Sequence, residues 1–186
     1  MGISENTKKI FAEALQEMVK TKEVSKIRVK DLCERCGADR KTFYYHFHDK
    51  NELVAWIFAK DYEEAMRPYE DEYPEKHAAD TLKAMYQKKG FYRKVFEDRS
   101  QNDISQYIFE YFVELGRSNA KRRLGEESID TLTDYAIKSH AYACIGHTVQ
   151  WLNGVTGYTP EEFAHLQYQT MPEVLRKAYG IDTNEQ

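Results

Sequence analysis

The sequence of 186 residues is poor in the residues that divide a chain into short strands, with four prolines and nine glycines. Turn clusters are correspondingly few, which favours long helices over a many-stranded sheet. Three cysteines leave one odd and give no disulfide framework, so a reducing cytoplasm is the simplest location. No apolar run approaches the roughly 18 residues a membrane span needs. Met1 to Lys9 is polar, so no secretory signal is expected. There is no internal repeat, low-complexity tract, glycine-rich phosphate loop or nucleophile motif.

What is abundant is aromatic and charged: fourteen Tyr, nine Phe and two Trp, with charged residues at 31%. The net charge of −4 argues against nucleic acid if taken whole, but it is unevenly distributed. Residues 1–50 carry eleven Lys/Arg against eight Asp/Glu, and residues 51–186 carry sixteen against twenty-three. A basic head on an acidic body suits local contact with phosphates.

Apolar spacing predicts a helix over Asn6 to Lys20, a break over Thr21 to Ile27, and a short second helix through Val29, Leu32, Cys33 and Cys36 that ends at Gly37. Asp39 is placed to cap a third helix, Arg40 to Phe47. Asp49 to Glu52 reads as a capping box opening a fourth helix that ends near Pro68, followed by a polar linker over Glu70 to Lys76. Helices are expected over His77–Lys89 and Phe91–Glu97, through Ile104 to Leu115, and over Glu127–Asn153. The last of these carries a stripe of small residues, Ala136, Ser139, Ala143 and Gly146. Thr159-Pro160-Glu161-Glu162 starts a final helix with Phe163, Leu166, Thr170, Met171, Val174 and Leu175 on one face, which Pro172 kinks or breaks.

The stretch Val29 to Leu53, VKDLCERCGADRKTFYYHFHDKNEL, carries the functional signal. Two short helices around a Gly-containing turn are the helix-turn-helix layout, whose second helix enters the major groove. At about 100° per residue, Phe43 and Phe47 point inward and Lys41, Thr42 and Tyr45 point outward, with Tyr44 and His46 on the flanks. Outward residues reach base edges and flank residues reach phosphates. Lys50, at the start of the fourth helix, joins its charge to free backbone N–H groups there.

This segment resembles the tetracycline-repressor (TetR) family of regulators. The matching residues are Val29-Lys30-Asp31-Leu32, Gly37, Thr42-Phe43-Tyr44-Tyr45-His46-Phe47, Lys50 and Leu53, and the likeness covers residues 6–58. The resemblance implies base or groove contacts from Lys30, Arg40, Lys41, Thr42 and Tyr45, and phosphate contacts from Tyr44, His46 and Lys50. Arg28 stands where the family often has a capping Ser or Thr, which removes a cap and offers a further phosphate contact. It also implies an all-α fold: an N-terminal three-helix helix-turn-helix domain over residues 1–50, and a C-terminal helical effector and dimerisation domain over residues 51–186. The partners implied are double-stranded operator DNA, a second copy of the chain, and a small-molecule or protein effector. The most direct function is a repressor released by its effector, with no cofactor and no catalytic role.

Beyond residue 60 the resemblance rests on the small-residue stripe, the Trp151 to Gly154 stretch and the capped last helix. These resemble the two C-terminal helices that pair across the two-fold axis in the family. Tyr86, Phe91, Tyr92, Phe96, Tyr107, Tyr111, Phe112, Tyr142 and His147 are the candidates to line an effector pocket, which is usually apolar with a few polar groups. The same spacing equally describes plain core. The Phe91 to Phe96 segment, the WLNG at Trp151 to Gly154 and the compact length are similar to a subgroup tied to dihydroxyacetone-kinase operons. That likeness implies the alternative of an activator gated by a protein partner. Cys33 and Cys36 fit the buried face of the second helix better than a metal site, because a second ligand pair is missing. An all-α enzyme would need a convergent acid–base set, and nothing selects one around His140 and His147.

Overall fold

A computed structural model describes residues 3–67, 75–97 and 104–181. The described residues form ten α-helices and one 3-10 turn, without a strand. They are α1 (Ile3–Thr21), the 3-10 turn (Val24–Lys26), α2 (Val29–Cys36), α3 (Arg40–His46), α4 (Lys50–Met66), α5 (Glu75–Gln87), α6 (Lys89–Glu97), α7 (Ile104–Leu124), α8 (Thr131–Leu152), α9 (Pro160–Gln169) and α10 (Glu173–Ala178). No described helix is long and apolar enough to cross a membrane. Pro68 and most of the expected linker lie outside the described residues.

By contacts the chain divides into two compact units, Met1–Lys60 with Lys88–Tyr107, and Asp61–Gln87 with Ile108–Gln186. In the first unit, Phe11, Leu15, Val19, Ile27, Leu32, Phe43, Leu53 and Val54 are buried together with Tyr92 and Val95 of α6. The core beneath the helix-turn-helix is therefore closed by residues far along the chain. Phe11 meets Phe43 edge-to-face at 5.2 Å, and Phe58 meets Tyr92 the same way at 5.9 Å, geometries that suit the ring quadrupoles.

In the second unit, α5 packs on α9 and α10 on α8. Trp151 lies between the rings of Tyr86 and Phe163, with centroids at 5.1 and 5.0 Å. Its indole N–H donates to the Tyr158 carbonyl at 2.8 Å. Phe109, Val113 and Ala120 of α7 form a second cluster with Ala136, Ile137 and Ala141 of α8 and Leu175 of α10.

The last helices differ from expectation in two ways, and of the two outcomes expected at Pro172 one is seen. The helix expected from Glu127 starts instead at Thr131, because Gly125 takes a left-handed φ of 69° and Asp130 caps the Thr133 N–H at 2.8 Å. Pro172 breaks the final helix, standing as the residue before α10. Leu166 and Thr170, assigned to the inner face, are exposed: Leu166 lies across α9 from the buried Ala164, and Thr170 stands past the helix end as its C-cap. The Thr159 cap forms as expected: the Glu162 N–H donates to Thr159 Oγ1 and the Thr159 N–H to Glu162 Oε2, at 3.2 and 2.8 Å.

Candidate nucleic-acid interface

Helix α2 is preceded by Arg28, whose side chain has no acceptor with which to cap it. Asp31 works in the opposite direction: its carboxylate accepts the Arg28 backbone N–H at 3.1 Å and pairs with the guanidinium at 3.3 Å. Those hydrogen bonds, the backbone one foremost, hold the Asp31 carboxyl below the usual range. The helix ends at Gly37 with φ 63°, where the backbone turns toward α3. A Cβ there meets no crowding but forces a side chain into the left-handed region. Gly37→Ala is thus expected to cost about 1 kcal/mol, and Gly37→Asn less, read from urea midpoints.

Helix α3 is held at both ends. Asp39 accepts the Thr42 N–H at 2.6 Å. At the far end Phe43 and Phe47 are buried. With these rings inside, the outer face follows: Tyr45 is 82% exposed, Arg40 and Lys41 are exposed, and Thr42 is half-buried. Tyr44 is exposed and His46 half-buried on the flanks. Arg28 and Lys30 are exposed on α2, where Lys30 pairs with Glu34 at 3.4 Å. The inward and outward faces read from the sequence are those the backbone presents.

The start of α4 is more connected than its sequence suggests. Asp49 Oδ1 accepts the N–H groups of Asn51 and Glu52 at 2.8 and 2.9 Å. Glu52 reaches back to the N–H of His48, one residue beyond the expected capping box. Lys50 sends its ammonium to the Val24 carbonyl at 2.6 Å. Tyr107 donates its hydroxyl to Asp49 Oδ2 at 3.2 Å across 58 residues of sequence. Lys94 donates to the Val19 and Lys20 carbonyls at the end of α1, at 2.8 and 3.0 Å. Sequence reasoning missed the roles of Tyr107 and Lys94, since neither has a local pattern that points to its acceptor.

The nine pocket candidates do not gather in one unit. Phe91, Tyr92, Phe96 and Tyr107 belong to the first, and Tyr86, Tyr111, Phe112, Tyr142 and His147 to the second. Tyr92 is wholly buried core, while Tyr142 is exposed and stacks on Phe109 at 3.9 Å. Tyr111 and Phe112 both meet the Tyr62 ring edge-on, and burial pushes the Tyr111 hydroxyl up to about 12. His147 is exposed, and His140, half-buried one turn before Cys144, has its Nε2 3.4 Å from that thiol. Cys33 is buried and Cys36 half-buried, their thiols near the carbonyls of Asp39 and Ile10 and both raised by burial. They sit on the inner side of α2, as the spacing suggests. Among the described residues no three His, Cys, Asp or Glu converge as a metal site would require.

The model of the bacterial regulatory proteins of the tetR family matches residues 13–57, and that of a transcriptional regulator C-terminal region matches residues 72–173. The chain belongs to the TetR family of bacterial regulatory proteins. All nine candidate DNA-binding residues of this TetR-family chain fall in the first match, and Lys94 and Tyr107 in the second. A curated relative from Lactococcus lactis subsp. lactis (strain IL1403), described as the HTH-type dhaKLM operon transcriptional activator DhaS, is 30% identical over 91 residues. Those residues are 48% of the TetR-family chain and 49% of the relative, so the match spans about half the length of each. A solved structure described as the dihydroxyacetone kinase operon activator DhaS superposes with a TM-score of 0.55 at 20% identity, covering 94% of this chain and 97% of that one. That likeness establishes a shared fold.

Proposed function

We propose that this TetR-family regulator binds double-stranded operator DNA as a homodimer, with residues 1–50 holding the DNA and residues 51–186 receiving an effector and pairing with a second copy. The observation that carries the reading is α3, whose buried Phe43 and Phe47 leave Arg40, Lys41 and Tyr45 facing solvent together. A rigid helix with an outward cationic and aromatic face suits a major groove. Lys30 and Thr42 join the base-facing set, while Arg28, Tyr44, His46 and Lys50 serve the phosphates. An ammonium has three donors, so the Lys50 bond to Val24 is compatible with a phosphate contact.

Pairing is supported by α8, where Leu132, Tyr135 and Tyr142 are 64%, 69% and 60% exposed. Ser139, Ala143 and Gly146 are exposed on the same helix. Large apolar residues exposed beside small ones are characteristic of a surface that another helix covers closely. Two copies present two recognition helices to half-sites roughly 34–36 Å apart on one side of the duplex. The effector acts by binding one state of the dimer better than the other and so shifting the spacing of these helices.

The test is binding of the purified protein to duplexes selected from a random pool, at several salt concentrations. Affinity is expected to fall steeply with salt. Tyr45→Ala and Thr42→Ala are expected to relax sequence preference by about 1–3 kcal/mol at the positions read. Tyr44→Ala weakens all sequences alike. Salt-independent binding, or none, would remove the reading. Repression released by an effector is the main sense proposed. Activation through a protein partner is the second, supported by the Lactococcus lactis relative, a dhaKLM operon transcriptional activator. A reporter placed behind the selected duplex separates them by the sign of its response.

A further inference from the structure

The last carbonyls of a helix have no partner within it and carry its negative dipole end. At the end of α1, Met18 O accepts the Lys22 N–H at 2.9 Å. The Val19 and Lys20 carbonyls are instead satisfied by Lys94, which arrives from α6. Lys20, the cation in the last turn of α1, is paired instead with Glu17 at 2.5 Å. Lys94 is half-buried, and its neighbours Tyr92 and Val95 are locked in the core of the first unit. Its ammonium is therefore delivered from a fixed helix and not from a freely moving surface chain.

Four residues further on, Val24 O accepts the Ile27 N–H at 3.1 Å and the ammonium of Lys50 at 2.6 Å. The segment from Val19 to Val24 is thus held by two lysines, one at each end, from α6 and α4. This segment leads through Ile27, buried in the same core, directly into α2. Its direction sets where the helix-turn-helix begins.

We infer that Lys94 is a positioning residue for DNA binding: by closing the C-terminus of α1 it fixes the turn from which α2 starts, with Lys50 holding the other end of that turn. The inference rests on the DNA-binding reading above. A rival role is visible in the surroundings. Lys94 lies in the wall of a groove of about 980 Å3 that also carries Lys22, Lys26 and Arg28. A cation there could touch a phosphate directly.

The experiment uses the full chain and a duplex selected by the wild type from a random pool. Lys94→Met is expected to bind about tenfold more weakly per active molecule, with the slope of log affinity against log salt unchanged. Without DNA, the amides of Lys22, Lys26 and Ile27 are expected to exchange with deuterium faster than in the wild type. A slope lower by about one would make Lys94 a phosphate contact and overturn the inference, as would undiminished affinity or unchanged exchange at those amides. Lys94→Gln replaces Lys94→Met if the apolar end prevents folding. If the wild type selects no duplex, the DNA-binding reading fails. The exchange measurement still decides whether Lys94 holds the turn.

Discussion

Phe43→Ala is expected to lose roughly 3–5 kcal/mol of stability and to abolish duplex binding, a larger effect than removing any exposed residue of α3. Phe43 has no solvent exposure and touches three other rings: Phe11 at 5.2 Å, Tyr44 at 5.5 Å and Phe47 at 5.7 Å. Truncation leaves a void between α1, α2 and α3, and a helix of seven residues lacks the length to persist without its anchor. The edge-to-face contact with Phe11 on α1 disappears as well. Phe43→Leu, which keeps most of the volume, is expected to retain binding with a smaller loss. Urea unfolding followed by circular dichroism measures the cost, and duplex titration measures the binding. If Phe43→Ala costs under about 1 kcal/mol, comparable to a surface change, Phe43 does not anchor α3.

The contrast between Phe43 and Lys94 explains what was legible in the sequence. Phe43, Phe47 and Tyr45 belong to one short helix, and a period of 3.6 residues separates their faces without knowledge of any other element. The caps at Asp39 and Thr159 and the end of α2 at Gly37 are equally local, and the structure has all three. Lys94 and Tyr107 meet acceptors 74 and 58 residues away, a distance at which periodicity says nothing. The same limit affects the aromatic residues chosen for a pocket. Tyr92 and Tyr142 both lie on helices that local spacing predicts, yet one is wholly buried and the other is 60% exposed. Leu166 failed for a related reason. Its place on an inner face came from a single stripe drawn from Phe163 to Leu175, whereas the buried side of α9 is set by Phe163 and Ala164.

The second large effect is a loss of stability on mild acidification, carried by His77. This residue of α5 is 1% exposed and faces the Tyr62 ring of α4 at 6.2 Å. Burial drives its pKa down to about 4, although nearby Asp80 pulls the other way. A buried imidazole in such surroundings stays neutral because charging it would sacrifice hydration. Its folded pKa lies below the ordinary value of 6.5, so between these two limits the unfolded chain binds more protons than the folded one. The contribution is therefore fully present above pH 6.5 and is lost as pH falls toward 4. Its size is on the order of 3 kcal/mol. His140 is shifted in the same direction by burial and adds to the slope. Asp134, held down to about 2 by hydrogen bonds from Arg117 and Lys138, loses its contribution only below the ordinary carboxylate range. Comparing wild type with His77→Gln and His77→Leu isolates the single residue, since the other groups titrate alike in each. Urea midpoints at pH 7, 6, 5 and 4.5 are expected to fall more steeply for the wild type than for either variant. Parallel curves would mean that His77 takes up its proton without leaving its buried place.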